Sequence, residues 1–218
     1  MRQLPLALPH DTALGRADFL VSSGNEAALG WIERWPHWPA FALVLHGPAG
    51  SGKSHLAALW QARSGAALIA GDALGKLDPG ELAAAPGVAI DDAEAAPERA
   101  LLHLYNCCRD GGSGLLVVAR RPPAAWPITL PDLGSRLRAS PAVAIGAPDD
   151  ALLAAVLVKH FADRQLQPPP QIIAFLVPRM ERSFAAAAAL VERIDRLSLG
   201  AKRPITLPLA HRALAESG

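Results

Sequence analysis

The amino-acid sequence predicts an α/β domain built on a parallel sheet, followed by a small all-helical domain. Three observations predict it. Phe41–His46, Ala66–Ala70, Gly87–Asp91, Gly114–Ala119 and Ala142–Ile145 are short and nearly continuous in apolar residues, the pattern of strands buried on both faces. Helical segments separate these runs, as the crossovers of a parallel sheet require. From Pro148 onward no strand-like run remains and the periodicity is helical.

Taken in order, a first helix over Asn25–Trp35 follows Ser22 and Ser23, either of which suits an N-cap. The first strand, Phe41–His46, runs into a glycine-rich loop, after which Lys53–Ser64 reads as a helix. Pro97–Asp110 opens on a proline, tolerated in a first helical turn, and stops at Gly111-Gly112. Pro131–Arg138 is a short helix before the last strand. Beyond Pro148, helices are expected over Asp149–Gln165, Gln171–Pro178, Ser183–Leu199 and Pro208–Ser217, with Gln167-Pro168-Pro169-Pro170 breaking the first from the second. The alanine run 185–189 has high helix propensity and reads as a close-packed helix face.

Bulk composition narrows the class without naming a function. The chain has 218 residues, 51% hydrophobic and 19% charged, with a formal charge of +1. So few charges exclude wholesale disorder, and the near-neutral balance argues against a general electrostatic binder of nucleic acid. No apolar run reaches the ~18 residues of a spanning helix, and the Leu/Pro stretch at the N-terminus is too short for a signal-peptide core. Cys107 and Cys108 are adjacent and cannot form a disulfide framework; they fit helix packing in a reducing, cytoplasmic compartment. The seven histidines are scattered without metal-site spacing. Trp31, Trp35 and Trp38, with Pro36 and Pro39, read as packing between the first helix and the sheet rather than a base-stacking platform.

One segment carries chemistry. Gly47-Pro48-Ala49-Gly50-Ser51-Gly52-Lys53-Ser54 matches G-x-x-x-x-G-K-[ST] at every position, between a buried strand and a helix. Glycines let successive backbone N–H groups turn toward phosphates, and the helix start adds its dipole. Lys53 is expected on the β- and γ-phosphates and the Ser54 hydroxyl on Mg²⁺. His55 begins the next turn and is counted with the nucleotide-binding set, as a helix-surface neighbour rather than a base. Asp91 and Asp92 end the third strand. Asp91 is expected to hold Mg²⁺, and Asp92 stands where hydrolysing enzymes orient water.

These pieces, in this order, resemble the AAA+ P-loop NTPases, and within them the DnaA-related Hda branch, the DnaA regulatory inactivators. The resemblance covers nearly the whole chain. Asp18-Phe19-Leu20-Val21 with Asn25 looks like the segment flanking adenine, which places Phe19 and Val21 at the base. The Asp91-Asp92 pair is of the DnaA type, Arg121-Pro122-Pro123 resembles the family's Asp-Arg-Pro-Pro turn, and Leu130–Leu137 is similar to the box carrying an arginine finger, here Arg136. Gln3-Leu4-Pro5-Leu6-Ala7-Leu8 looks like the hexapeptide that engages the DNA polymerase sliding clamp, with Gln3, Leu4, Leu6 and Leu8 as contacts. An extended peptide with an amide head, spaced apolar anchors and a stiffening proline suits such docking.

The resemblance implies ADP or ATP with Mg²⁺ as ligands, ADP as the resident one. It implies DnaA and the β subunit of the polymerase III clamp as partners, and stimulated hydrolysis of DnaA-bound ATP that restrains initiation. Residues 1–10 would be the clamp peptide, 11–147 the AAA+ core and 148–218 the lid. Self-association is expected, and neither membrane attachment nor sequence-specific DNA binding is, since the helix-turn-helix domain of DnaA has no counterpart here. Two positions depart from the pattern. Arg120 stands where the family has an acidic sensor, and Ala185 where the lid carries an arginine, with Arg182 nearby. Intrinsic hydrolysis is therefore expected to be weak or absent, with Arg136 acting in trans. A rival expectation is an autonomous AAA+ ATPase or helicase-loader motor on single-stranded DNA, for which Arg109, Arg120, Arg121, Arg136 and Arg138 would form a basic edge.

Overall fold

The computed structural model describes residues 19–201 and 205–216. Five parallel strands lie in the order β2-β3-β4-β1-β5: β1 (Ala42–His46), β2 (Ala67–Ala70), β3 (Gly87–Asp91), β4 (Gly114–Ala119) and β5 (Ala142–Ala144). In register, His46 sits beside Ala119, and Ile90 beside Val117. Strand alternation sends successive side chains to opposite faces. Leu43 and Leu45 enter one core with Leu116 and Val118, under α1 (Glu26–Glu33) and α2 (Lys53–Ser64). Ala42 and Val44 enter the other with Leu115 and Val117, under α4 (Glu98–Gly111) and α5 (Pro131–Ala139). Burying both faces is why these strands read as continuous apolar runs rather than alternating ones.

Between β2 and β3, two elements were not legible as runs: a 3₁₀ segment at Gly71–Lys76 and α3, a four-residue turn at Pro79–Leu82 capped by Asp78. At the N-terminal side, the helix begins one residue later than expected. Asn25 occupies the N-cap and its amide oxygen accepts from Ser22 N–H at 2.8 Å, so neither serine side chain caps α1.

The tryptophans pack as expected. Trp38 and Trp60 stack with centroids 5.3 Å apart, and Trp35 meets both edge-on. Trp35 presses on Gly114 and Trp60 on Gly87, where a Cβ would come within 2.2 and 2.5 Å of the indoles.

Helices α6 (Asp150–Asp163), α7 (Pro170–Leu176), α8 (Phe184–Ala201) and α9 (Leu207–Ala215) enclose a third apolar core, centred on Leu157, Phe161, Ile172, Leu176, Val191 and Ile194. Asp149 caps α6 by accepting from Leu152 N–H at 2.7 Å. In the alanine run Ala187 is fully buried in this core while Ala185 and Ala189 face outward. No helix among the described residues is long and apolar enough to cross a membrane.

Candidate nucleotide site

The C-terminal edge of the sheet delivers the charged residues together, because β1, β3 and β4 are parallel neighbours that end there. After His46 the chain turns through Gly47–Gly52 into α2. Gly47 lies against the Ile145 carbonyl, with a Cβ placed only 2.2 Å from that oxygen, so any side chain would lift the loop off β5. Gly50 (φ +68°) and Gly52 (φ +95°) are left-handed, a conformation that costs an L-residue roughly 1–2 kcal/mol. The Ser51 hydroxyl is buried and lacks a hydrogen-bond partner. Lys53 opens α2 and its Nζ donates to Pro48 O at 2.7 Å. Partial burial pushes the Lys53 ammonium below its usual range, an effect opposed chiefly by Asp91.

Such a loop fits phosphate. The left-handed glycines, the unsatisfied Ser51 hydroxyl and the adjacent ammonium form a donor set with little of its own to bind. Ser54 is exposed at the start of α2, and Asp91 ends β3 with its Oδ1 accepting from Asp92 N–H at 2.9 Å. One hydroxyl and one carboxylate are the modest protein share that Mg²⁺ takes when phosphates and water complete its shell.

The loop is docked against the lid helices. Phe184 N–H donates to Gly50 O at 3.0 Å, and a Cβ on Gly50 would strike Ser183. The Phe184 ring covers Gly52. Between loop and lid lies a cavity of about 350 Å³, lined on one side by Phe19, Leu20, Lys53, Ser54 and His55 and on the other by Val156, Lys159, His160, Phe184, Ala185 and Ala188. Phe19 is buried and meets His55 edge-on at 5.2 Å. Val21, expected beside the base, is 49% exposed and does not line this cavity; Leu20 does, because it is the neighbour of Phe19 that turns inward. Sequence reading missed Val156, Lys159 and His160, whose signal is only their place on the face of α6 opposite the loop.

Residues 149–214 match the family model described as the lid domain of Hda. Domain III of the replication initiation protein DnaA from Thermotoga maritima superposes with a TM-score of 0.80 at 17% identity, covering 93% of this chain and 96% of that one. The lid region is thus similar to that of Hda, and the chain shares its fold with DnaA domain III. Its fold is shared with AMPPCP-bound DnaA from Aquifex aeolicus (TM-score 0.66, 15% identity, 82% of this chain and 64% of that one). It is shared also with the RuvB Holliday junction branch migration motor of Thermotoga maritima (TM-score 0.73, 16% identity, 93% and 71%).

Against the Hda and DnaA resemblance the departures are specific. Arg120 Nε lies 3.6 Å from Asp92 Oδ1, so the carboxylate expected to orient water faces a guanidinium. Ala185 lines the cavity without a charge to offer. Arg182 does not stand in for it, being engaged by Asp150 at 2.6 Å and by the Pro148 carbonyl at 3.1 Å. Arg136, expected to project as a finger, is instead forked onto Asp132 at 3.0 and 3.1 Å, with the Tyr105 ring 5.7 Å beneath its guanidinium. Their i,i+4 spacing on α5 brings the two side chains within reach of each other. Arg138 is exposed and lies along Gly134. Gln3, Leu4, Leu6 and Leu8 lie outside the described residues.

Proposed function

We propose that this chain is a nucleotide-dependent adaptor that restrains replication initiation. It would bind the sliding clamp through Gln3, Leu4, Leu6 and Leu8, engage DnaA, and promote hydrolysis of DnaA-bound ATP. The observation that carries the reading is an Hda-type lid seated directly on a phosphate-binding loop, through Phe184 N–H to Gly50 O and the Phe184 ring on Gly52. ADP or ATP bound between them would tie lid to core, and Mg²⁺ held by Ser54 and Asp91 would neutralise phosphate charge.

Arg136 is the residue proposed to act in trans. Its guanidinium already grips a flat, two-oxygen acceptor, and a phosphoryl group offers the same geometry. Leaving Asp132 costs little, since exposed i,i+4 pairs contribute only ~0.3–0.5 kcal/mol. An arginine supplied in trans accelerates phosphoryl transfer by ~10³–10⁵ where it operates. The Arg120–Asp92 pair disfavours the rival reading of an autonomous motor, because it occupies the acid such a motor needs.

The deciding experiment measures ATP hydrolysis on DnaA with clamp-loaded DNA, adding this protein or its Arg136→Ala variant. Stimulation by the wild type and its loss in the variant are expected. Absence of stimulation by either protein overturns the proposal. Turnover by this protein alone, well above a Lys53→Ala control, would favour the motor.

A further inference from the structure

The helix that carries Arg136 has no side-chain cap of its own. Leu130 stands at the N-cap of α5 without an acceptor to offer, and Pro131 follows it. The donors at that entry go to α4 instead. Glu98, in the first turn of α4, accepts from Thr129 N–H and Thr129 Oγ1 at 2.8 Å each and from Leu130 N–H at 2.7 Å. An ionised carboxylate is all acceptor, so it can satisfy converging donors without presenting one of its own. About two turns further along α4, Tyr105 meets the other end of α5. Its hydroxyl lies 3.4 Å from Oγ of Ser140, the C-cap residue, and that serine hydroxyl donates to Arg136 O at 3.0 Å. The Tyr105 ring is buried, meets Phe41 edge-on at 4.9 Å, and lies 5.7 Å from the Arg136 guanidinium. Residues at i and i+7 share a helix face. One face of α4 therefore holds α5 at its entry, at its exit and beneath its arginine.

We infer that Glu98 and Tyr105 are positioning residues for Arg136, fixing α5 so that the guanidinium is presented at one place on the surface. The inference rests on the reading of Arg136 as the arginine that acts in trans, and goes beyond it by naming what aims that arginine. Neither residue touches the reacting phosphate; both act through Arg136. The fork onto Asp132 cannot aim it, because Asp132 is exposed and rides on the same helix. Glu98 and Tyr105 belong to a different element, whose Leu101 and Leu104 are buried in the core beside β3 and β4, so they tie α5 to the sheet. Attraction between charges tolerates a shifted helix, whereas catalysis does not: a misplacement of about 1 Å can cost about a hundredfold in rate.

The test measures hydrolysis of DnaA-bound ATP with clamp-loaded DNA as the concentration of the full chain is raised. Wild type, Glu98→Gln, Tyr105→Leu, Tyr105→Phe, Thr129→Ala, Arg136→Ala and the Glu98→Gln/Arg136→Ala double variant are compared, at a temperature where ellipticity shows each protein folded. Glu98→Gln keeps the size but turns an amide NH₂ toward donors, and Tyr105→Leu removes the ring. Both should lower the maximal stimulated rate about ten- to hundredfold, while the concentration giving half-maximal stimulation stays within about twofold. Tyr105→Phe keeps the ring and should recover most of the rate. Thr129→Ala, at an exposed position that leaves the core intact, removes one donor and should lower the maximal rate about threefold; it carries the test should the larger changes unfold the chain. On the Arg136→Ala background Glu98→Gln should cost nothing more, as residues acting through one another are non-additive. Wild-type rates in the variants, a further loss on that background, or a raised half-maximal concentration at unchanged maximal rate overturns the assignment. A wild-type chain that stimulates nothing overturns the underlying reading instead.

Discussion

Substituting Gly71 by alanine isolates the contact that fixes the Asp92 turn. The added Cβ would lie 2.3 Å from Asp92 O, 3.0 Å from Asp92 C and 3.2 Å from Ala96 N. All three are backbone atoms, so no rotamer change relieves the clash. Restoring ordinary contact near 3.4 Å requires a relative shift of about 1 Å, and overpacking of this kind costs ~1–3 kcal/mol. For a chain of this size each kcal/mol moves the melting temperature by about 2–4 °C, giving a drop of roughly 2–12 °C. Gly30 is the control. It is exposed in α1 and a Cβ there meets nothing within 4 Å, so Gly30→Ala should gain about 0.5–1 kcal/mol from helix propensity alone and melt higher. Differential scanning calorimetry of the three proteins checks both signs. A Gly71→Ala protein that melts with the wild type would refute the claim that Gly71 holds Asp92 in place.

Other expectations follow from the same geometry. Phe184→Ala removes the ring that covers Gly52 and lines the cavity; nucleotide affinity, read by calorimetry, should fall about tenfold for a half-buried aromatic worth ~1.4 kcal/mol. Glu98 accepts from Thr129 N–H, Thr129 Oγ1 and Leu130 N–H at 2.7–2.8 Å, which holds its carboxyl below the usual range, chiefly through the Thr129 backbone. A depressed carboxylate stabilises the fold above its unfolded pKa and loses that contribution as pH falls through its folded value. The gap in melting temperature between wild type and Glu98→Gln should therefore be full at pH 7 and close below about pH 4.5. Burial pushes the Cys108 thiol up to about 11, whereas Cys107 is partly exposed. Thiol titration of the native protein at pH 8 should count one reactive cysteine and find two after denaturation.

The strands were legible because burial on both faces leaves an uninterrupted apolar signature: β3 and β4 match their sequence runs end to end, and β1 differs by one residue at Phe41. The order β2-β3-β4-β1-β5 left no such trace, since parallel neighbours far apart in sequence carry no local mark of pairing. Short 3₁₀ and α turns such as Gly71–Lys76 and Pro79–Leu82 lack the length for a period. In the site, Gly47–Ser54 was readable because phosphate chemistry dictates both residue type and spacing. What lay across from it was not. Lys159 and His160 are more than a hundred residues from the loop, and only the docking of α6 brings them to the cavity. Likewise the identity of Arg136 was visible while its engagement by Asp132 was not, because a finger and an intrahelical ion pair share the same letters.

The stacked indoles have a practical consequence. All five tryptophans and the single tyrosine precede residue 127, so the helices from Asp150 onward hold none of them. Near-ultraviolet emission therefore reports on the sheet and its flanking helices and is silent about the lid, whereas far-ultraviolet ellipticity weighs the lid heavily. If the lid comes apart before the sheet domain, ellipticity will change before emission does. If nucleotide welds them together, its addition will bring the two optical transitions into coincidence, a test of coupling that needs no label.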